Sequence, residues 1–481
     1  MTVAAIRIFA APLVLCCALF PNPAPAQDSG DVITKQYDNG GVYEGTFKDG
    51  KQDGHGIYRL PNGYEYDGNW VAGEISGQGT ARYPNGSVYT GAFAGGKPEG
   101  KGKIIFGDGG TYEGDWLAGQ MTGAGEVRYG NGVLYRGGLL KAVHHGTGRI
   151  EDPSGYIYDG TWVNGVKEGT GSVTYPDGAV YVGAMAGDQR AGPGKLTLKD
   201  GTVFDGTWAA GRISGPATLV VPGGDRYEGM LADGVKQGAG RASYANGDIY
   251  EGDFVAGQRQ GKGKFTGTDG TIYDGDWVQG RMEGTGTITY PGGTVYAGAV
   301  IAGQPDGVGK ITYAEGTSYE GSWAKGVIEG AGTARYAKGQ VYEGAFAAGQ
   351  QQGKGKMTFA DGYVYDGDWV AGQRDGQAVA TYPNGSRYTG RFVGGKRDGL
   401  GAILMADGFR YEGRWKDGEI NGEGVATYTN GDVYIGQFTA GKRDGTGTLR
   451  YSTGQAASGS WKNGELLRDG ATAQDPAGTG N

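Results

Sequence analysis

Cysteine is almost missing from this chain. Its 481 residues hold two, Cys16 and Cys17, side by side near the amino terminus. Histidine is nearly as scarce, with His55 far from the adjacent pair His144 and His145. Neither a thiolate centre nor a histidine metal site is expected, and the three histidines read as solvated loop residues. There is no Gly-x-Ser-x-Gly elbow and no phosphate-cradling loop opening a helix, so no catalytic residue and no cofactor is expected. Uncompensated positive charge is lacking too. Lys and Arg number 44 against 52 Asp and Glu, a net charge of -8, and the basic residues are spread along the chain. A nucleic-acid partner has no support in that pattern. Apolar residues make up 37% of the chain, low for a thick core. No window sustains a 3.6-residue period, so no helix is expected after residue 30.

What is present instead is glycine, 104 residues, and it stands in register. The stretch Tyr66-Asp67-Gly68-Asn69-Trp70 returns as Tyr112-Glu113-Gly114-Asp115-Trp116 and again as Tyr158-Asp159-Gly160-Thr161-Trp162, with Tyr89-Thr90-Gly91-Ala92-Phe93 between. Counting from Tyr43 in steps of 23, an aromatic-x-Gly triplet recurs through Tyr434-Ile435-Gly436 in 18 copies, with a worn nineteenth at Ala457-Ser458-Gly459. A fixed period of this length defines a repeat array rather than separate domains.

Let each repeat be numbered from its aromatic residue as position 1. Position 3 is glycine in all 19 units, and position 5 is always bulky and apolar. Position 12 is glycine except for Arg468, and position 14 is glycine except for Ala217 and Ala378. Positions 1, 3 and 5 alternate onto one face of a strand, and positions 14, 16 and 18 form a second such set. Segments such as Pro84-Asn85-Gly86 are turn signals. Each unit therefore reads as a β-hairpin. A lone hairpin is marginal in water, so stability must come from stacking on its neighbours. The fold class is all-β: an elongated, twisted, single-layer antiparallel sheet of about 19 stacked hairpins.

The ends differ from the array. Residues 1–26 read as a secretory signal: Arg7, an apolar run from Ile8 to Phe20, and Ala24-Pro25-Ala26 before a cut ahead of Gln27. Leu15 precedes Cys16 where a lipidation signal wants a small residue, which disfavours a lipoprotein. Residues 27–42 form a lead-in, 43–470 the array, and 471–481 a tail of disordered composition. Export to a periplasm or beyond the cell is the expected localisation.

The motif Tyr-Glu-Gly-Asp-Trp, then Gly-x-x-x-Gly-x-Gly, then Tyr-Pro-Asn-Gly resembles the MORN repeat family, most closely over Tyr112 to Gly125 and Tyr411 to Gly424. The resemblance covers roughly residues 32–470. It implies a sheet of stacked hairpins that acts as a scaffold, associating with itself and capturing partner proteins along one face; phospholipid binding is a further attribution of the family. Departures stand at Ala142 and Asp188 for the position-8 glycine and at Gly267 for the position-18 aromatic.

Two sets of residues are candidates for binding. All nine tryptophans, Trp70, Trp116, Trp162, Trp208, Trp277, Trp323, Trp369, Trp415 and Trp461, occupy position 5 of alternate units, with one phase slip at Leu231/Phe254. They read first as large side chains interdigitating with smaller ones, and second as an exposed ladder for sugars or a partner's aromatics. The loop cations Lys396, Arg397, Lys442 and Arg443 are the candidates for lipid headgroups, offset by Glu99, Asp375, Asp398 and Asp444 along the same positions. The acidic pairs Glu113/Asp115, Glu251/Asp253, Asp274/Asp276 and Asp366/Asp368 read as a solvated stripe. The function expected is a non-catalytic envelope scaffold binding proteins, a second copy of the chain among them. The alternative is a phospholipid- or glycan-binding module.

Overall fold

The computed structural model describes residues 30–467; the expected signal segment, Arg468 and the tail 471–481 lie outside the described residues. The chain divides into two compact units, Met1–Ala245 and Asn246–Asn481. Both follow one plan. Among the described residues the regular structure is 39 strands and no helix. The first unit begins with β1 (Ile33–Gln36), β2 (Val42–Lys48), β3 (Lys51–Arg59) and β4 (Glu65–Val71) and continues to Val235–Ser243; the second runs from Ile249–Val255 to Glu465–Leu466. Within each unit, strands adjacent in sequence pair antiparallel.

A seven-residue strand ending at position 6 alternates with a nine-residue strand over positions 9–17. The two are joined by a two-residue turn at positions 7 and 8, both with positive φ, as at Ala72 (50°) and Gly73 (92°). This is the primed turn whose twist matches a hairpin. The departures Ala142 and Asp188 keep that conformation, at φ 66° and 65°. The opposite turn is longer: the position-21 amide donates back to the position-18 carbonyl, as Gly63 N to Leu60 O at 3.0 Å. The position-20 carboxamide or carboxylate accepts the position-22 amide, as in Tyr64 N to Asn62 Oδ1 at 3.0 Å. Pro-Asn-Gly is favoured there because proline fixes φ, asparagine supplies a side-chain acceptor and glycine takes the left-handed conformation.

The glycines at positions 3 and 14 lie opposite each other in register, Gly45 to Gly56 and Gly56 to Gly68, and so on across each sheet. Over this bare track lies the position-1 ring. A Cβ on Gly56 would sit 2.3 Å from the Tyr43 Oη, and one on Gly79 2.4 Å from the Tyr66 Oη. Each tyrosine ring is pinned by its hydroxyl, which donates to the position-4 carbonyl, as Tyr66 to Asn69 O at 3.0 Å and Tyr112 to Asp115 O at 2.7 Å; Phe204 has no hydroxyl to give. A sheet with no second layer thus forms its core from side chains laid along its own backbone. The space over the position-3 and position-14 glycines is filled by the ring of the same unit.

Between positions 3 and 5 the register shifts, so that one residue faces three, as at Gly45/Phe47. The long strand bulges there and bends at the position-12 glycine, for example Gly123 at φ 106°. The bulge frees an amide at position 13, and an acidic position 4 accepts it: Asp115 from Ala124 N at 2.9 Å, Asp276 from Thr285 N at 2.9 Å, Asp368 from Gln377 N at 2.8 Å. The lead-in belongs to this scheme. β1 and the turn after it, closed by Tyr37 N to Gly41 O at 2.8 Å, are the second half of a repeat.

Candidate functional site

One face of each sheet is aromatic. Most position-5 rings meet the tyrosine of their own unit and that of the preceding unit edge-on, as Trp70 meets Tyr66 and Tyr43; Trp208 and Trp461, whose units open with Phe204 and Ala457, meet the preceding tyrosine. From Tyr296 to Trp461 these contacts form one herringbone series without a break, for example Tyr342–Trp369 at 5.3 Å and 84° and Tyr365–Trp369 at 5.1 Å and 83°. All nine tryptophan Nε1 atoms donate to the position-14 carbonyl of the preceding unit, at 2.8 to 3.2 Å. Their exposures run from 1% to 7%. The tryptophans are thus interdigitated core, as their alternation with smaller residues anticipates, and no ring face is left for a sugar to stack on.

Position 10 lies across from position 5 on this face. In four units without tryptophan it is arginine, and each guanidinium lies over the tryptophan of the next unit: Arg190 over Trp208 at 4.2 Å, Arg259 over Trp277 at 4.1 Å, Arg397 over Trp415 at 4.2 Å and Arg443 over Trp461 at 4.4 Å. Each also donates to the position-8 carbonyl of that next unit, Gly211, Gly280, Gly418 or Gly464, at 2.7 to 2.8 Å. Arg397 and Arg443, expected as headgroup contacts, are therefore fastened into the sheet by one side chain serving as lid and clamp. Lys396 and Lys442 are exposed at the turn edge, Lys396 within 3.5 Å of Asp417. The acids at position 11 do more than offset charge. They accept the positive-φ turn amide of the next unit, Glu99 from Ala118 N at 2.7 Å, Asp375 from Gly394 N at 3.2 Å and Asp444 from Asn463 N at 3.4 Å.

Arg374 breaks the pattern. It stands in a tryptophan unit, faces Phe392 in place of a tryptophan at 5.9 Å, and donates to Tyr363 Oη at 3.0 Å. With Arg397 in the next unit it places two guanidinium groups on one groove. They line an open groove of about 460 Å³ with Lys396, Tyr363, Tyr382, Pro383, Phe392 and a single acid, Asp361. Tyr363 and Tyr382 lie 5.2 Å apart and tilted along it. Burial raises the Tyr363 phenol, with Arg374 pulling the other way. The groove combines apolar walls with unshared N–H donors, a chemistry suited to a carboxylate carried on a hydrophobic segment.

The MORN repeat family model matches residues 43–63, 66–88, 89–111 and 112–133, and then thirteen further stretches from 158–180 to 434–456. The chain belongs to the MORN repeat family. Its repeats are interaction modules. No relative is found among curated proteins. Solved structures similar to it include the TCP domain of Drosophila melanogaster SAS-4 in complex with a proline-rich motif of Ana2, at 16% identity and TM-score 0.23, over 33% of this chain and 89% of that one. The TCP10 domain of Danio rerio CPAP in complex with a STIL peptide is 15% identical at TM-score 0.21, over 51% and 94%. Virginiamycin B lyase from Staphylococcus aureus is 12% identical at TM-score 0.11, over 60% and 94%. Likenesses this distant carry no argument about the MORN chain.

The MORN unit at 135–157 falls between the matched stretches, yet it forms an ordinary hairpin. At its position 10 stands His144. The expectation of a solvated loop is corrected here: His144 is 7% exposed, stacked on Tyr135 at 3.7 Å and edge-on to Trp162 at 4.8 Å. Its Nε2 lies 2.9 Å from Tyr129 Oη. Burial, aided by the Lys167 charge, holds its pKa down at about 4, so the ring packs as a neutral aromatic. The residue type alone gave no sign of this; the register with Arg190 and Arg259 would have done so. His145 accepts the Asn164 amide at 3.4 Å, and His55 lies 3.1 Å from Asp67. Among the described residues no cluster of His, Cys, Asp and Glu could hold a metal.

The other face of the MORN sheets is polar and paired. Lys101, Lys262 and Lys354 bridge Asp115, Asp276 and Asp368 at 2.5 to 2.6 Å. Asp276 is held at about 2, first by the Lys262 bond and then by the Thr285 amide. The acidic stripe is thus partly occupied by cross-strand cations. Sequence reading missed an exposed apolar row at position 6 of this face, including Leu117, Leu140 and Val163 in consecutive units.

Proposed function

We propose that this MORN chain is a non-catalytic, exported scaffold of the cell envelope that captures partner proteins on the aromatic face, and that the groove of Arg374 and Arg397 takes a carboxylate-bearing apolar segment. The observation that carries the reading is the pairing of two guanidiniums with tyrosine walls where the alternation of position 10 supplies only one. Many repeats then add weak contacts into avidity. Placing a photo-crosslinker at Tyr382, and separately at Val308 on the other face, tests it. Adducts with envelope proteins from Tyr382 alone, reduced by Arg374→Glu, are expected; equal adducts from both positions, or none, overturn the reading.

Membrane lipid is the second reading, favoured only by the exposed Lys396 and Lys442. Co-sedimentation with neutral and anionic liposomes at low and physiological salt separates the two. Binding that survives physiological salt and is lost on reversing both lysines supports lipid.

A further inference from the structure

The two ends of the described strand series are complementary halves of one repeat. β1 supplies positions 14 to 17, with its outer edge beyond the pairing to β2. At the other end, Ala456–Lys462 supplies positions 1 to 6, and Glu465–Leu466 pairs only with Trp461 and Lys462. Among the described residues, the outer edge of Ala456–Gly459 has no partner strand, while the Ser460 carbonyl accepts the Leu467 amide at 2.9 Å. A short strand of this type pairs with positions 14 to 17 in every complete hairpin, as Val42 to Arg59, Tyr43 to Tyr58, Glu44 to Ile57 and Gly45 to Gly56.

Both ends depart from the repeat, and the departures fit each other. Position 14 of β1 is Ile33, 42% exposed, beside Val32 at 66%. A tyrosine at position 1 meets nothing larger than the methyl of Ala378 at position 14 in the described repeats, and even a Cβ on Gly56 would stand 2.3 Å from the Tyr43 hydroxyl, so the larger Ile33 leaves little room for such a ring. Any tyrosine-bearing short strand is therefore a poor partner for β1. Ala456–Lys462 alone among the short strands has no ring at position 1, where Ala457 stands, and it keeps Gly459 at position 3 opposite the Ile33 site. A Cβ opposite the position-3 glycine is already accommodated by Ala217 at Gly206 and by Ala378 at Gly367.

We infer that a second copy of this chain docks head to tail, its Ala456–Gly459 segment completing the half repeat at β1. The register is Ala456 to Gln36, Ala457 to Lys35, Ser458 to Thr34 and Gly459 to Ile33, the pairing found within each hairpin, here made between one copy and the next. Ser458 then meets Thr34 as Ser458 already meets Thr448 at 2.8 Å on its other side. The inference goes beyond the partner capture proposed above. Its test reads assembly rather than partner capture, so either can fail alone.

Sedimentation velocity of the purified chain over a dilution series is the experiment. The expected result is a fast-sedimenting species that is lost on dilution and lost in Ala457→Tyr, whose new ring meets Ile33. Adding Ile33→Gly to that variant should restore it, which a merely misfolded Ala457→Tyr could not do. In a background without Cys16 and Cys17, oxidised Lys35→Cys/Ala457→Cys should run as a covalent series of multimers. A wild-type chain that stays monomeric, assembly indifferent to Ala457→Tyr, or failure of Ile33→Gly to rescue would each overturn the inference. So would a disulfide that closes only within one copy.

Discussion

Two glycines that pair across a hairpin should differ sharply in what an added methyl costs. A Cβ on Gly68 at position 3 would lie 2.4 Å from the Gly79 Cα and 2.7 Å from the Gln78 carbonyl, with the Tyr66 hydroxyl at 2.5 Å. Two of these three neighbours are backbone, held by the ladder to β4. Reaching an ordinary separation of about 3.5 Å means parting the strands by roughly 1 Å. Overpacking of this kind costs about 1–3 kcal/mol, and each ladder hydrogen bond that opens adds about 1 kcal/mol. Gly68→Ala should therefore destabilise its hairpin by about 3–4 kcal/mol. For Gly79→Ala at position 14 the nearest atoms are all in the Tyr66 ring, Oη at 2.4 Å and Cε2 and Cζ at 2.6 Å. The ring can give way, as Tyr365 does opposite Ala378 while keeping its bond to Asp368 O at 2.7 Å, at a cost of about 1 kcal/mol. Because a repeat array opens locally, amide hydrogen exchange across Tyr66–Thr80 is the assay, with the thermal midpoint as a second reading. Tyr66→Phe should recover part of the Gly79→Ala loss. The chain carries both arrangements, Phe204 with Ala217 and Tyr365 with Ala378. Equal costs at the two positions, or a larger one at Gly79, would refute the reasoning.

Arg397→Ala should cost about 1–2 kcal/mol through the lost stacking on Trp415 and the lost bond to Gly418, read by tryptophan fluorescence in a urea titration. Glu99→Ala should leave the Ala118 amide without its acceptor and raise exchange at that amide, at a cost of about 1 kcal/mol. Ala118→Gly should stabilise its turn by about 1 kcal/mol, because alanine sits there at φ 48°; a lower melting temperature would count against the turn. Burial raises the phenols of Tyr66, Tyr158, Tyr273 and Tyr342 from 10.0 to about 12. A raised phenol contributes stability that is complete below about 10 and disappears as the pH climbs through about 12. Unfolding by circular dichroism should accordingly coincide with the rise in phenolate absorbance in that window, and phenols titrating freely near 10 in a still-folded chain would refute it.

The period, the hairpins, the all-β class and the family were legible in the sequence because they rest on local chemistry repeated many times. Turn residues dictate their own φ, and alternation assigns a face. Even the unequal constancy of the two glycines was visible there: position 3 never varies and position 14 varies twice. Only the tertiary structure explained it, since one glycine faces fixed backbone and the other a movable ring. Three-dimensional register likewise decided the cations and His144. Position 10 belongs to its own hairpin in sequence, yet its side chain lies on the tryptophan of the next. A loop arginine and a core arginine therefore look alike until neighbouring repeats are stacked. Which tyrosine covers which glycine, and which strand has no ring to offer at the open edge, are properties of contact between units, and contact is what a linear pattern leaves out.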